Sequence, residues 1–498
     1  MSKWMNTVFP EKVGIPSERI LAYIQALDSA DCCIHGICLI RHGQIAAEVY
    51  YAPFDATTEH RMYSSSKSMA SIAIGLLQDE GKCSLDDSIC VYFQDKQPDK
   101  VHPWIQETTL RDMLMMSTCF VTSPYEMIDN PGHDWIRMTY ECPPSHRPGQ
   151  FFSYDTSVAT MMAAIVESKS GMHLMDYLRK KLAPLELSAA ANCVRIPDGS
   201  YSWAGSGVLC TLRDFAKLGL FSLNHGEWEG QSLISREYMD AATSKQIDNG
   251  RYGYGYQFWR TKYGFAMLGM GNQVCYCLPD YDLVLAVIAD QQGQPDKSAL
   301  IEQKLYEILL PALSDDCLEE NPEEWNRLKE YTSDLAVRPN KGNTHSSIMD
   351  GKKERHYEMI PNAEGVQASL KLNKVDITFG ENNGMFSWDG NCLKFGLGYF
   401  EFQDFPGFAS KEEAAGIPPI VYWYEKESPV LHMPCMVSGA WLNDTKLELL
   451  CYAIGDFLGT LRIQLSFEED YITIQMNKFA EKFWSDLQGF QSGKEVKG

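Results

Sequence analysis

The chain has 498 residues, a formal net charge of −22, 45% hydrophobic residues and 15 cysteines. That length exceeds what one core usually holds, so two domains are expected, with ample apolar sequence for each. A surface this acidic opposes nucleic acid and anionic membranes, which both need cationic side chains to displace counterions, and no apolar run is long enough to span a bilayer.

The segment Met1 to Pro16 lacks a basic region followed by an apolar core, so a soluble, cytoplasmic protein is expected, with neither nucleic-acid nor membrane partners. The cysteine number is odd and the residues are scattered, which suits reduced thiols better than a disulfide framework. Cys32-Cys33 and Cys275-x-Cys277 are the close pairs, and neither has zinc-ligand spacing with matching partners. No metal and no other cofactor is expected.

In chain order, Ala22 to Leu27 has a helical pattern. Gly36 to Arg41 and Gln44 to Tyr50 then read as a strand hairpin around His42-Gly43. Tyr63-Ser64-Ser65-Ser66-Lys67-Ser68-Met69-Ala70 follows, where Met69, Ile72, Ala73 and Leu76 recur at helical spacing and Gly81 supplies a stop. Ser64 and Lys67 are three residues apart and should share one helical face. This is the layout of a serine nucleophile with its own base. A hydroxyl at a helix N-terminus also sits among unpaired N–H groups that favour developing negative charge. A lysine serves as base only if its ammonium can lose a proton, so a closed pocket is expected around Lys67. His60 allows a Ser-His reading as well as a structural one.

Leu110 to Met116 reads as a helix with core-filling methionines. Cys119 to Pro148 reads as a long surface excursion near a pocket mouth. In Pro148-Gly149-Gln150-Phe151-Phe152-Ser153-Tyr154-Asp155-Thr156, Tyr154 precedes the apolar helix Val158 to Val166. A phenol beside a neutral lysine can pass a proton to a leaving group, and a half-buried helix cap is the other reading. Trp203-Ala204-Gly205-Ser206-Gly207 is a glycine-rich turn without the phosphate-loop pattern, and the chain has no Gly-x-Ser-x-Gly elbow. Tyr252 to Trp259 reads as the start of an aromatic strand, either core or substrate wall. Phe265 to Gln273 and Val274 to Leu278 form a strand pair, Asp282 to Asp290 a buried strand and Ser298 to Leu313 a helix. Gly269 and Gly271 allow a backbone N–H to approach a substrate and complete an oxyanion hole.

Asp315 to Glu324 is acidic and contains a proline, which marks 314–337 as a linker with a short helix between a domain at 1–313 and another at 338–498. Beyond Arg338, alternating segments at Val366–Leu372, Val375–Phe379, Leu447–Tyr452 and Leu461–Phe467 predict an antiparallel β-barrel or sandwich.

Taken together, Ser64-x-x-Lys67, Leu85-Asp86-Asp87, Leu110-Arg111-Asp112-Met113-Leu114, Pro148-Gly149 and Tyr252-Gly253-Tyr254-Gly255 resemble the serine β-lactamase and penicillin-binding-protein-like hydrolases. The likeness is greatest to the esterase, D-aminopeptidase and 6-aminohexanoate-dimer hydrolase branch and covers roughly Phe9 to Leu313. It implies an α/β (α+β) fold, an α/β/α sandwich around an antiparallel sheet, with the β-rich second half resembling appendages of some members. It further implies that Ser64 is acylated, Lys67 is its base and Tyr154 is the tyrosine of the second motif, with Thr156 where many members have asparagine. Met267-Leu268-Gly269 replaces the third motif, and the Ser64 and Met270 N–H groups are the implied oxyanion donors. The replaced motif lacks the cation that holds a substrate carboxylate, so a small ester or amide is the expected substrate. Gly269, Thr156, Tyr254 and Trp203 are the candidates for its pocket. A D-aminopeptidase, a weak β-lactamase and a non-catalytic binding protein on the same scaffold are the alternatives.

Overall fold

His42 (φ 51°) and Gly43 (φ 72°) both take left-handed backbone, the geometry whose twist matches a two-residue hairpin. They join β1 (Ile34–Arg41) to β2 (Gln44–Tyr50), with Arg41 opposite Gln44. The computed structural model describes residues 4–124, 134–196, 200–351, 353–366, 370–406, 433–480, 483–484 and 486–496. They divide into two units, Met1–Ala336 and Val337–Gly498.

The first unit builds its sheet from both of its ends. With β3 (Trp259–Arg260), β4 (Phe265–Gly269), β5 (Gln273–Leu278) and β6 (Leu283–Ala289), the strand order is β2-β1-β6-β5-β4-β3, antiparallel throughout. Every residue of β1, β5 and β6 is buried, because helices cover both faces. Helix α1 (Ser17–Ser29) packs on one side together with the helical segment Pro322–Ser333, and Tyr331 donates its hydroxyl to Asp28 at 2.7 Å. The acidic stretch after Leu313 thus lies on the first unit. Arg41, 2% exposed, also donates to the Ser314 carbonyl at 2.7 Å.

Three further helices of this unit form its core around the site. They are α2 (Ser66–Asp79), α3 (Ser157–Ser170) and α4 (Leu212–Leu223), and α4 lies across β1, β5 and β6. All residues from Ser66 to Leu77 are buried, as are those from Ser157 to Glu167. Helices apolar on all sides belong in a core. Truncating Ile72, which is 0% exposed, to Ala should cost about 2–5 kcal/mol through lost burial and the cavity left behind.

Two expected elements differ. Tyr252 to Trp259 is not a strand until Trp259, because Gly253 (φ 100°) and Gln257 (φ 64°) bend the backbone, and Gln257 donates its N–H to the Leu114 carbonyl. The Ser298–Leu313 helix is interrupted, passing through a wide turn at Leu305–Leu309 before Pro311. Of the strand expected over Val366–Leu372, residues 367–369 lie outside the described residues, and Val366 and 370–372 are not in a strand, the next strand beginning at Lys374.

The second unit contains β7 (Glu354–Met359), β8 (Lys374–Phe379), β9 (Asn383–Trp388), β10 (Asn391–Leu397), β11 (Glu401–Asp404), β12 (Pro434–Asn443), β13 (Lys446–Ile454), β14 (Leu458–Glu468), β15 (Tyr471–Phe479) and β16 (Gly489–Glu495). Antiparallel pairing runs β10-β9-β8-β7-β16-β15-β14-β13-β12, and a parallel contact of Gly396 with Ser438 and of Leu397 with Gly439 closes β10 onto β12. The result is a closed nine-stranded barrel rather than a sandwich, with β11 pairing farther along the edge of β12. Closure satisfies the backbone groups that an open edge would expose. No described helix is long and apolar enough to cross a membrane, and all the cysteines are free thiols.

His35 and His60 meet inside the first unit, Nδ1 to Nε2 at 3.1 Å, with the Phe54 ring stacked on His35. Burial pushes His35 well below its ordinary value of 6.5 and His60 down to about 4. Between about pH 4 and 6.5 the unfolded chain therefore binds more protons than the folded one. The stability tied to these neutral imidazoles is complete above about pH 6.5 and lost as pH falls toward about 4. Melting temperature should fall across that window, and the fall should be smaller in His60→Gln; an unchanged slope would place the acid sensitivity elsewhere.

Candidate active site

The chain enters the site along the short strand His60–Arg61, which pairs with Leu209 and Cys210. Met62 donates its N–H to the Val208 carbonyl at 2.7 Å. Tyr63 then turns left-handed at φ 46°, a conformation that costs a non-glycine residue roughly 1–2 kcal/mol. The packing beneath it fixes that kink. The Arg61 guanidinium, 0% exposed, lies over both the Tyr63 ring at 5.2 Å and the Trp203 ring at 4.6 Å. The kink leaves Ser64 in a single tight turn, Tyr63–Ser65, immediately before α2.

Lys67, one turn on, is 1% exposed. Its ammonium donates to Ser64 Oγ at 2.9 Å and to the Gly205 carbonyl at 2.5 Å, and it stands 5.0 Å from the centre of the Tyr154 ring. Among the described residues it forms no ion pair. The three residues expected to carry chemistry therefore converge, although they come from two stretches ninety positions apart.

Tyr154 precedes α3 and is 38% exposed, its ring stacked on Trp259 at 5.6 Å and 28°. Trp259 is held edge-on by Tyr254 at 5.0 Å and by Phe152 at 5.9 Å. Asp155 fixes the backbone beside Tyr154: its carboxylate accepts from the Ser157 N–H at 2.8 Å, the Ser157 hydroxyl at 2.6 Å and the Ser123 hydroxyl. Burial pushes the Asp155 carboxyl up, against the pull of those hydrogen bonds and of Lys67.

Gly205 has to be glycine for a local reason. A β-carbon there would lie 2.6 Å from both the Thr156 carbonyl oxygen and its Cγ2. Thr156 thus packs its backbone on the turn that offers Lys67 its acceptor. Gly269 is constrained in the same way, since a β-carbon would stand 2.2 Å from the Met62 carbonyl oxygen. That approach brings the end of β4, and Met270 after it, against the Ser64 turn. The Ser65 hydroxyl donates to the Gln273 carbonyl at 2.7 Å, and the Ser68 hydroxyl donates to the Gln257 carbonyl at 2.6 Å.

Two pocket candidates are relocated. Trp203 is 0% exposed beneath Arg61, and Tyr254 is 1% exposed under Trp259, with burial raising its phenol well above the ordinary range. Both support the site from below rather than lining it. His60 bonds to His35, so the Ser-His reading gives way to the structural one. The Leu85 to Asp87 and Leu110 to Leu114 motifs meet through Arg111, which donates to Asp86 at 2.8 Å and to the Tyr256 hydroxyl at 2.8 Å. Among the described residues no cluster of three or more His, Cys, Asp or Glu side chains could hold a metal ion.

Sequence reasoning missed Gly205, Asp155 and Arg61 as parts of the site. Gly205 acts through a carbonyl, which no pattern of side chains displays. Asp155 left one trace, a carboxylate two residues before a serine at a helix start.

An antiparallel sheet flanked by helices, with a serine and a buried lysine joined at the start of one of them, defines a class of hydrolases. The Beta-lactamase family model matches residues 35–307, and the chain belongs to that family. It is 24% identical over 227 residues to the 6-aminohexanoate-dimer hydrolase of Paenarthrobacter ureafaciens, covering 42% of this chain and 57% of that protein. It is 31% identical over 125 residues to the serine beta-lactamase-like protein LACTB, mitochondrial, of Mus musculus, covering 20% and 22% of the two chains. The chain thus matches just over half of the first relative and about a fifth of the second. The fold is also that of a candidate 6-aminohexanoate-dimer hydrolase from Bacillus anthracis, with a TM-score of 0.50 at 17% identity over 62% of this chain and 87% of that one.

Gly205→Ala should displace the turn that holds Lys67. Ångström-scale misplacement of catalytic groups can cost on the order of 100-fold, and a loss of roughly that size is expected in p-nitrophenyl ester hydrolysis by a folded variant. Wild-type rates would show that the Gly205 carbonyl does not position Lys67.

Proposed function

We propose that the chain is a serine hydrolase that cleaves a small, uncharged ester or amide through an acyl-enzyme on Ser64. The observation that carries this reading is the buried ammonium of Lys67, bonded to Ser64 Oγ at 2.9 Å and to the backbone carbonyl of Gly205, with no ion pair among the described residues. In its amine form Lys67 takes the hydroxyl proton as Oγ attacks the substrate carbonyl carbon. The oxyanion meets the N–H groups of Ser64 and Met270, where fixed donors stabilise charge that develops only in the transition state. Tyr154 and Lys67 return the proton to the leaving alcohol or amine, and water repeats the sequence to release the acid.

The substrate class rests on the third motif. Met267, in the position that would bear a cation, is 0% exposed and packed in the core. This disfavours substrates that depend on a carboxylate contact there, including penicillins and peptide C-termini. Membership of a hydrolase family and the relative named 6-aminohexanoate-dimer hydrolase support hydrolysis over a binding role.

Intact mass after exposure to a fluorophosphonate probe tests the nucleophile. One adduct is expected on the wild-type chain and none on Ser64→Ala, with p-nitrophenyl ester hydrolysis lost in parallel. Lys67→Ala should lower that rate at least 100-fold, since a positioned general base contributes about 10²–10⁴. An unmodified wild-type protein, or activity that persists in Lys67→Ala, would overturn the assignment.

A further inference from the structure

The turn after β4 contains two consecutive left-handed residues, Gly271 (φ 74°) and Asn272 (φ 69°). A turn that carries an oxyanion donor must hold one position through the reaction, because a donor that moves as charge develops loses its preorganisation. Gln273, the first residue of β5 and 0% exposed, is built to hold it. Its Nε2 donates to the Met270 carbonyl at 3.1 Å and to the Ala289 carbonyl at 2.6 Å, and its Oε1 faces the Ala289 N–H at 3.4 Å. Both ends of the amide are used, and they tie the turn to the end of β6.

The same residue reaches the nucleophile through its main chain. Gln273 lies opposite Gly269 in the β4–β5 ladder, and its carbonyl accepts the Ser65 hydroxyl at 2.7 Å. The residue after Ser64, the turn bearing Met270 and the central strand β6 therefore share one side chain and one peptide unit. The outer side of the turn is secured separately, where Gln291 donates its N–H to the Gly271 carbonyl at 3.1 Å and Asn272 Nδ2 donates to the Ser298 carbonyl at 3.0 Å.

We propose that Gln273 is a positioning residue of the oxyanion hole: it sets the distance between the Met270 turn and Ser64 without touching substrate. The inference rests on the acyl-enzyme reading above. Removing its amide takes the donor from the Met270 carbonyl and from the buried Ala289 carbonyl and frees the turn, while Ser64, Lys67 and Tyr154 stay in place. The effect should fall on the transition state rather than on ground-state binding or proton transfer.

The test uses the full chain and Gln273→Met, which keeps the length of the side chain and removes its donor. Deleting an oxyanion donor outright costs about 10²–10³ in kcat, and displacing one should lower kcat for a p-nitrophenyl ester roughly 10- to 100-fold. KM should change less than about threefold, and the acidic limb of the pH–rate profile should not move. Affinity for an aryl boronic acid, whose tetrahedral serine adduct presents an oxygen to the same donors, should fall in step with kcat/KM. Should Gln273→Met fail to fold, Gln273→Asn keeps the amide but is one methylene too short to span both carbonyls, and the same pattern is expected of it. A folded variant with wild-type kcat and boronate affinity, or one whose loss lies in KM or in a shifted pH limb, would overturn the proposal. A wild-type chain that leaves Ser64 unmodified by fluorophosphonate would instead overturn the acyl-enzyme reading, and this assignment with it.

Discussion

An ammonium group sealed from water must find its partners inside the protein, and the rest of the site follows from that constraint on Lys67. A buried amine without acceptors would cost several kcal/mol. Here the acceptors are a hydroxyl and a main-chain carbonyl, both neutral, with an aromatic face alongside. The carbonyl has to come from a turn tight enough to press against Thr156, so residue 205 is glycine. The hydroxyl has to meet Lys67 from the turn just before α2, where the preceding residue turns left-handed and is held there by the Arg61 and Trp203 stack. Each requirement is local, yet the groups that meet it come from three separate stretches of chain.

The architecture makes that convergence possible. Because β1 and β2 come from the start of the unit and β3 to β6 from its end, the helical residues between them leave and rejoin one sheet. The Ser64 turn lies where that excursion begins, beside the edge where it returns. Two serine hydroxyls, those of Ser65 and Ser68, bond the first turn of α2 to carbonyls of the returning segment. Clefts between a sheet edge and a helical layer are common places for ligand sites, since two rigid walls meet there and both can offer backbone groups. The serine-rich sequence around Ser64 is therefore put to several uses: one hydroxyl joins the lysine, two bind the helix to its neighbours, and Ser66 accepts the Val208 N–H.

Much of this was legible in the chain itself. The His42-Gly43 hairpin, the helix opening after Ser64, the buried strand ending near Asp290 and the alternating strands at Val375–Phe379, Leu447–Tyr452 and Leu461–Phe467 all follow from local rules of period and turn chemistry. The pairing of Ser64 with Lys67 was legible because three-residue spacing on a helix brings side chains together whatever surrounds them. Tyr252 to Trp259 was misjudged because aromatic density suggests a strand, whereas Gln257 is bent to meet Leu114 and Ser68, contacts from two other parts of the chain. Trp203 and Tyr254 were placed on the pocket wall because an aromatic residue near a motif looks the same whether it lies above or below the site.

What the sequence determined by itself was whatever depends on neighbours along the chain: the helices and strands, the hairpin turn, the serine-lysine pair and, through the assembled motifs, the family. What only the tertiary structure decided was which main-chain carbonyl holds Lys67, which rings lie beneath the kink at Tyr63 and which amide secures the Met270 turn. Main-chain groups are identical at every residue and carry no letter of their own. Their role depends on approach to within a few ångströms of distant segments, and that approach exists only once the sheet has closed around the helices.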